Sequence, residues 1–330
     1  DFESGSGSVR EVEVVDRYLD ELTENLGRAS RPLKVVVDGG NGVGGITAVP
    51  LFERLGYEVI PLFTEVDGSF PNHHADPTVE DNLVDLRAAV AESGADLGLA
   101  FDGDGDRIGV IDEAGSVIWG DRLMIILARA VLKEQPGATI IGEVKCSKTL
   151  YDAIAAAGGE PLMWITGHSL IKEKMKDTGA ALAGEMSDNN FIKHRYYGFE
   201  DATNAGGRLL ELLGRSSRPL SALLDDVPRM ESTPELRVEC PEDKKFAVVE
   251  RVLNEFKKGA SIEGYRVVDI DGVRVEWDDG WGLVRASNTT PLLVLRFEAE
   301  STERLQTIRQ RFEAAVDNAL DSAGVKPSAR

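Results

Sequence analysis

Pro32-Leu-Lys-Val-Val-Val-Asp38-Gly-Gly40 is an apolar run that ends in an aspartate and two glycines. It reads as a strand buried on both faces, of the kind found in parallel sheets, running into a phosphate-type turn. Working outward, a helix is expected over 10–26 before this strand and another over 46–55 after it. Strands follow at 57–63 and 96–101, with a helix at 82–93 between them. This alternation predicts an α/β fold. Residues 108–111 and 117–119 read as a short strand pair. The pattern then restarts with helices at 121–133, 147–157, 170–177 and 202–213, and strands at 139–144, 161–164 and 181–184. From Leu236 the order changes to strand, helix (244–257), four strands and a closing helix (302–320), which predicts a smaller α+β module.

The expected fold is therefore two successive mixed-sheet α/β domains, 1–116 and 117–228, followed by a C-terminal α+β domain, 229–330. The chain has 330 residues, enough for two or three domains, with 42% hydrophobic and 28% charged residues. That composition excludes disorder, collagen and coiled coil. A formal charge of −20 would repel phosphate backbones and anionic membranes, so neither nucleic acid nor membrane is an expected partner. An anionic small substrate would need basic side chains concentrated locally. Cys146 and Cys240 lack metal-ligand spacing and read as free thiols. With no signal peptide or 18-residue apolar run, a cytoplasmic location is expected. The start, residues 1–8, is small and polar and lacks an initiator Met, which reads as a linker exposed by truncation or as the continuation of something upstream.

Asp102-Gly-Asp-Gly-Asp-Arg107 carries the strongest chemistry. Three carboxylates separated by glycines can wrap onto one hard cation, because glycine permits the backbone angles required. A solvated acidic turn is the alternative. An EF-hand is excluded, since Arg107 holds the sixth position, where the sharp turn needs Gly, and 108–111 reads as strand. Magnesium fits better. Gly40-Asn-Gly-Val-Gly-Gly45 formally matches a dinucleotide fingerprint, with Glu65 about twenty residues on. The competing reading is a tight strand-to-helix turn, and Asp38 would place a carboxylate near a pyrophosphate.

Arg285-Ala-Ser-Asn-Thr-Thr-Pro291 packs a guanidinium, an amide and hydroxyls into one turn, an anion cradle suited to a phosphate dianion or else a hydrogen-bonded turn. Gly184-Glu-Met-Ser187 offers a carboxylate and a hydroxyl to a polyol, or a capped turn. Lys145 and His168 each follow a predicted strand, where open sheets place ligand groups. His73, His74 and His194 read as loop or surface residues. Ser169 is no nucleophile elbow, because the second glycine of that motif is missing.

In this order, Asp102-Gly-Asp-Gly-Asp-Arg107, Thr166-Gly-His-Ser169, Gly184-Glu-Met-Ser187 and Arg285-Ala-Ser-Asn-Thr-Thr-Pro291 resemble the α-D-phosphohexomutases, bacterial phosphomannomutase/phosphoglucomutase branch. Phe70-Pro-Asn-His-His74 and Trp119-Gly-Asp-Arg122 resemble family segments as well. The resemblance implies four domains, of which this chain holds the second, third and fourth. It implies Mg²⁺ on Asp102, Asp104 and Asp106, with Glu185, Ser187 and Asn189 at the sugar hydroxyls. Arg285, Ser287, Asn288 and Thr289 would hold the non-reacting phosphate, and Lys145, His168 and Arg107 would line the same cleft as catalytic groups. The implied reaction interconverts hexose 1-phosphate and hexose 6-phosphate, of mannose or glucose, through an enzyme phosphoserine and a hexose 1,6-bisphosphate, in a monomer or homodimer.

Two departures stand out. The serine loop of the family's first domain is not among these residues, and Asp188-Asn189 stands where the pattern has Gly-His, so a neutral amide replaces a candidate acid/base. Ile165 occupies a place often held by Lys. These departures keep a second reading open, a divergent homologue that binds a phosphorylated sugar or nucleoside with altered or no mutase chemistry. A dinucleotide-dependent oxidoreductase using the glycine run is the third.

Overall fold

The computed structural model describes residues 4–325, so the outer ends of the expected domains, 1–3 and 326–330, lie outside the described residues. The chain packs as two units, Asp1–Val117 with Ala202–Leu220, and Ile118–Asp201 with Ser221–Arg330.

In the first unit the elements run α1 (Val15–Leu26), β1 (Lys34–Asp38), α2 (Gly44–Leu55), β2 (Glu58–Leu62), α3 (Val84–Ser93), β3 (Leu97–Phe101), β4 (Ile108–Asp112) and β5 (Val117–Ile118). The sheet order is β2-β1-β3-β4-β5, with β1 parallel to β2 and β3, and β4 antiparallel to β3. Val35, Val36 and Val37 are fully buried, as expected of a strand covered on both sides. Helix α3 covers one face, where Leu86 and Val90 pack on Val36 and Ala100. Phe101 pairs with Ile108, so residues 102–107 form the entire connection between β3 and β4.

The first helix begins at Val15 and not at residue 10. Its buried face starts at Leu19 and repeats at Leu22 and Leu26, whereas Val9, Val12 and Val14 upstream are exposed and have no apolar face to bury. β-Branched residues with nothing to pack against do not sustain a helix.

The second unit opens with α4 (Gly120–Glu134), β6 (Thr139–Glu143), α5 (Lys148–Ala156), β7 (Glu160–Trp164), α6 (His168–Thr178), β8 (Leu182–Gly184) and β9 (Asn190–Ile192). Its sheet order is β7-β6-β8-β9, with β9 antiparallel and the others parallel. The reading from sequence leaves β9 in a loop. It is a three-residue return strand, defined by its pairing with β8 and by an antiparallel bridge from Phe191 to Glu200. Next in the chain, α7 (Ala202–Gly214) belongs to the first unit and packs on α1, α2 and β4, although its sequence position lies within 117–228.

The chain then returns through β10 (Glu231–Ser232), β11 (Leu236–Glu239), α8 (Lys245–Glu263), β12 (Arg266–Val268), β13 (Val273–Trp277), β14 (Gly280–Ala286), β15 (Leu292–Ala299) and α9 (Thr302–Ser322). All pairings in this sheet are antiparallel. Helix α8 continues past residue 257, through Gly259, and stops at Gly264, which adopts φ 71. The left-handed residue ends the helix, and the internal glycine does not.

Strand β15 alternates as the pleat requires. Leu293, Leu295, Phe297 and Ala299 join a core with α8 and α9. The opposite face of this sheet is buried as well. Trp281 and Leu283 pack on Val144 of the preceding sheet, and Arg274, Arg296 and Glu298 are buried beside them. Arg274 Nη1 donates to the carbonyls of Val144 and Cys146 at 2.6 and 2.7 Å, and Arg296 Nη1 donates to the Lys145 carbonyl. Trp281 supports Arg274 with its ring, 3.8 Å from the guanidinium carbon to the centroid. The two α/β sheets and the smaller α+β module are the architecture expected from sequence.

Candidate active site

The acidic loop is folded by its first carboxylate. Asp102 Oδ1 accepts the backbone N–H groups of Asp106 and Arg107, both at 3.0 Å, and Oδ2 accepts Arg107 Nε at 2.8 Å. Arg107 reaches on to Asp76 at 3.1 Å, which fixes the guanidinium between two carboxylates. One carboxylate oxygen from each of Asp102, Asp104 and Asp106 lies within 4.8 Å of the others. Burial, a hydrogen bond to Asp102 and the charges of Asp102 and Asp104 push the Asp106 carboxyl up to about 7. Three converging hard oxygen donors, one of them resisting ionisation, fit a small divalent cation.

The glycine run packs against this loop. A Cβ at Gly42 would stand 2.8 Å from the Gly103 Cα and carbonyl oxygen, and the Val43 N–H donates to that carbonyl at 3.1 Å. Close backbone approach thus accounts for Gly42. Asp38, fully buried at the end of β1, accepts the Gly40 N–H at 2.9 Å and contacts His73 Nε2 at 3.2 Å. The hydrogen bond to Asp38 outweighs burial and holds the His73 imidazole up at about 8. His73 lies in a loop, as expected, but it is the partner of a buried charge.

The other nominated residues lie in the second unit. Lys145 is buried, its Nζ 3.2 Å from Glu235 and 3.9 Å from Glu143. Burial works against its charge, but Glu143, Glu235 and Glu185 outweigh that and raise its pKa. Glu185, raised by burial and by Glu143, accepts the Gly167 N–H at 2.9 Å. His168, the first residue of α6, contacts Glu200 through Nδ1 at 2.9 Å, and Lys172 donates to the same carboxylate. Ser187 Oγ lies 3.4 Å from Asn189 Oδ1 within a turn closed by the Glu185 N–H to the Asn189 carbonyl. Asp188 adopts φ 70 there. That conformation favours glycine and tolerates aspartate, so the turn survives the departure from Gly-His.

In the anion loop, Arg285 is buried and its Nε donates to Asp271 at 2.9 Å. Its Nη2 is buried without a hydrogen-bond partner among the described residues. Ser287 Oγ accepts the N–H groups of Thr289 and Thr290 at 3.3 and 3.2 Å, while Asn288 and Thr289 are exposed.

Sequence reasoning missed the residues that hold these groups. Glu143, Glu235 and Asp271 are carboxylates most of whose partners lie 14 to 105 positions away. Glu143 gave one local signal, its place at the carboxyl end of a strand two residues before Lys145.

Residues 16–115, 119–230 and 235–315 match domains II, III and IV of the phosphoglucomutase/phosphomannomutase family, described as two alpha/beta/alpha domains and the C-terminal domain. A phosphomannomutase/phosphoglucomutase of Pseudomonas aeruginosa is 50% identical over 97% of this chain and 69% of its own length. A Neisseria gonorrhoeae phosphoglucomutase is 47% identical over 94% of this chain and 67% of its own. The crystal structure of a phosphoglucomutase/phosphomannomutase family protein from Burkholderia thailandensis superposes with TM-score 0.89 at 46% identity, covering 99% of this chain and 68% of that one. The chain belongs to the phosphoglucomutase/phosphomannomutase family, the hexose phosphate mutases, which are isomerases. It spans about two thirds of the length of the curated relatives it matches. Among the described residues no helix is long and apolar enough to cross a membrane.

Proposed function

We propose that this chain carries the metal, sugar and phosphate sites of a mutase that interconverts hexose 1-phosphate and hexose 6-phosphate, of mannose or glucose. The phosphoryl group passes through an enzyme phosphoserine on a segment outside these residues and through a hexose 1,6-bisphosphate. The observation that carries this reading is Arg285, a buried guanidinium with one edge fixed and an unpartnered Nη2, at the head of a loop rich in hydroxyl and amide donors. In this reading Arg285, Ser287, Asn288 and Thr289 bind the phosphate that does not react. Glu185, Ser187 and Asn189 take the sugar hydroxyls.

Lys145 and His168 supply positive charge to the transferring group, and Arg107 is a further catalytic candidate. Lys145 suits that role because three carboxylates keep it protonated. Asp102, Asp104 and Asp106 would hold Mg²⁺. When bound, the ion offsets charge on the phosphoryl group. The domain limits 1–116, 117–228 and 229–330, a cytoplasmic location and a monomeric or homodimeric state belong to the same proposal. The cellular assignment draws on two buried free cysteines, Cys146 and Cys240.

The test is conversion of glucose 1-phosphate to glucose 6-phosphate with Mg²⁺ and catalytic glucose 1,6-bisphosphate, by a polypeptide that includes a phosphoserine-bearing segment. Loss of conversion in Arg285→Ala supports the reading, and unchanged KM and kcat would overturn it. One observation favours a second reading, a homologue that binds phosphosugar with altered chemistry: Asn189 is a buried amide at the position of a candidate proton carrier. Asn189→His separates the two. Under the altered-chemistry reading this variant gains mutase turnover, and under the first reading it gains little.

A further inference from the structure

A single carboxylate oxygen joins the anion loop to the loop that leads into His168. Asp271 lies in the turn between β12 and β13, and its Oδ2 accepts Arg285 Nε at 2.9 Å and the Thr166 backbone N–H at 3.0 Å. That turn sits directly on the backbone of Arg285. Gly272 has φ 81, and a Cβ there would stand 2.3 Å from the Val284 carbonyl oxygen and 2.7 Å from Arg285 Cα, so the approach requires glycine.

A guanidinium recognises a phosphate by its planar fork, and the plane must be set before the anion arrives if affinity is not to be lost in ordering it. Fixing Nε sets that plane and leaves the Nη donors for the ligand, as the unpartnered Nη2 records. On Coulomb grounds alone a carboxylate beside an anion site opposes binding. What Asp271 contributes must then be geometric.

We propose that Asp271 is a positioning residue for the phosphate ester. It holds the Arg285 guanidinium in its receiving orientation and, through Thr166, keeps that anchor in register with the His168 loop. This inference rests on the assignment of Arg285 as phosphate anchor, and its test separates the two.

Glucose 6-phosphate binding is measured by titration calorimetry for the full chain, Asp271→Asn, Arg285→Ala and the double variant. Arg285→Ala is expected to weaken binding by roughly 100-fold. Asp271→Asn is expected to weaken it about tenfold although a negative charge is removed, and Arg285→Ala should then cost only about tenfold more in that background. Unchanged or tighter binding in Asp271→Asn, or strict additivity in the double variant, overturns the proposal. Unchanged binding in Arg285→Ala overturns the anchor assignment itself. Asp271→Glu keeps the charge but moves the oxygen by one methylene. It is expected to weaken binding too, which keeps the proposal testable should the asparagine variant fail to fold; full affinity in Asp271→Glu would overturn it.

Discussion

Glu143 accepts a 2.7 Å hydrogen bond from the hydroxyl of Thr166, although the two residues stand 23 positions apart. The same fully buried carboxylate accepts the Lys145 N–H at 2.9 Å and the Met186 N–H at 3.2 Å. One side chain at the end of β6 therefore ties together the loops that carry Lys145, His168 and Glu185. Removing it leaves a buried ammonium short of a counter-charge and three donors short of an acceptor. Glu143→Ala is expected to destabilise the second unit by about 3 kcal/mol, read by urea unfolding. Glu143→Gln, which keeps the volume, should fold and show a raised KM for phosphosugar.

Arg274 makes a comparable tie from the other sheet, donating to the carbonyls on either side of Lys145. Arg274→Met preserves much of the volume against Trp281 but leaves two buried carbonyls without donors. A loss of about 2 to 4 kcal/mol is expected in chemical denaturation. A loss below about 0.5 kcal/mol would show that water replaces the guanidinium.

Asp106 titrates at about 7 because burial and its neighbours Asp102 and Asp104 disfavour the second and third charges of the loop. Its folded pKa lies above the unfolded value of 3.8, so in the metal-free protein the loop costs stability progressively as pH rises from about 4 through about 7. A cation must displace that proton. Calorimetry of Mg²⁺ binding in buffers of different ionisation enthalpy should show proton release approaching one per ion below pH 7 and falling away above it. Asp106→Asn should abolish the release.

His73 gives a slope of the same sign at higher pH. Its pKa of about 8 lies above the ordinary 6.5, so the pair with Asp38 stabilises the first unit fully below about pH 6.5 and loses its effect as pH rises through 8. The loss is on the order of 1 kcal/mol, measurable as a fall in unfolding free energy between pH 6 and 9. His73→Gln should flatten that fall.

Much of the fold was legible because its strands carry their own signatures. Val35 to Val37 read as buried on both faces and are so, and the aspartate loop lies where the strand ending at Phe101 predicted it. Strand β9 was not legible, since three residues hold no period and become strand through the pairings the fold gives them. The alternation of β15 was legible, but its polar face was not. Arg296 and Glu298 are polar residues alternating with apolar ones, yet they are buried because another sheet lies against them.

Local sequence determined which side-chain types stand together, because runs of like charge, glycines at tight turns and apolar periods act over a few positions. It placed Asp102, Asp104 and Asp106 in one loop and Arg285 at the head of another. Only tertiary packing decided how each group is held: Glu143 under Lys145 and Thr166, Asp271 across Arg285, and His73 on Asp38. A buried charge takes its partner from whatever the fold brings within about 3 Å, and distance along the chain does not set that choice.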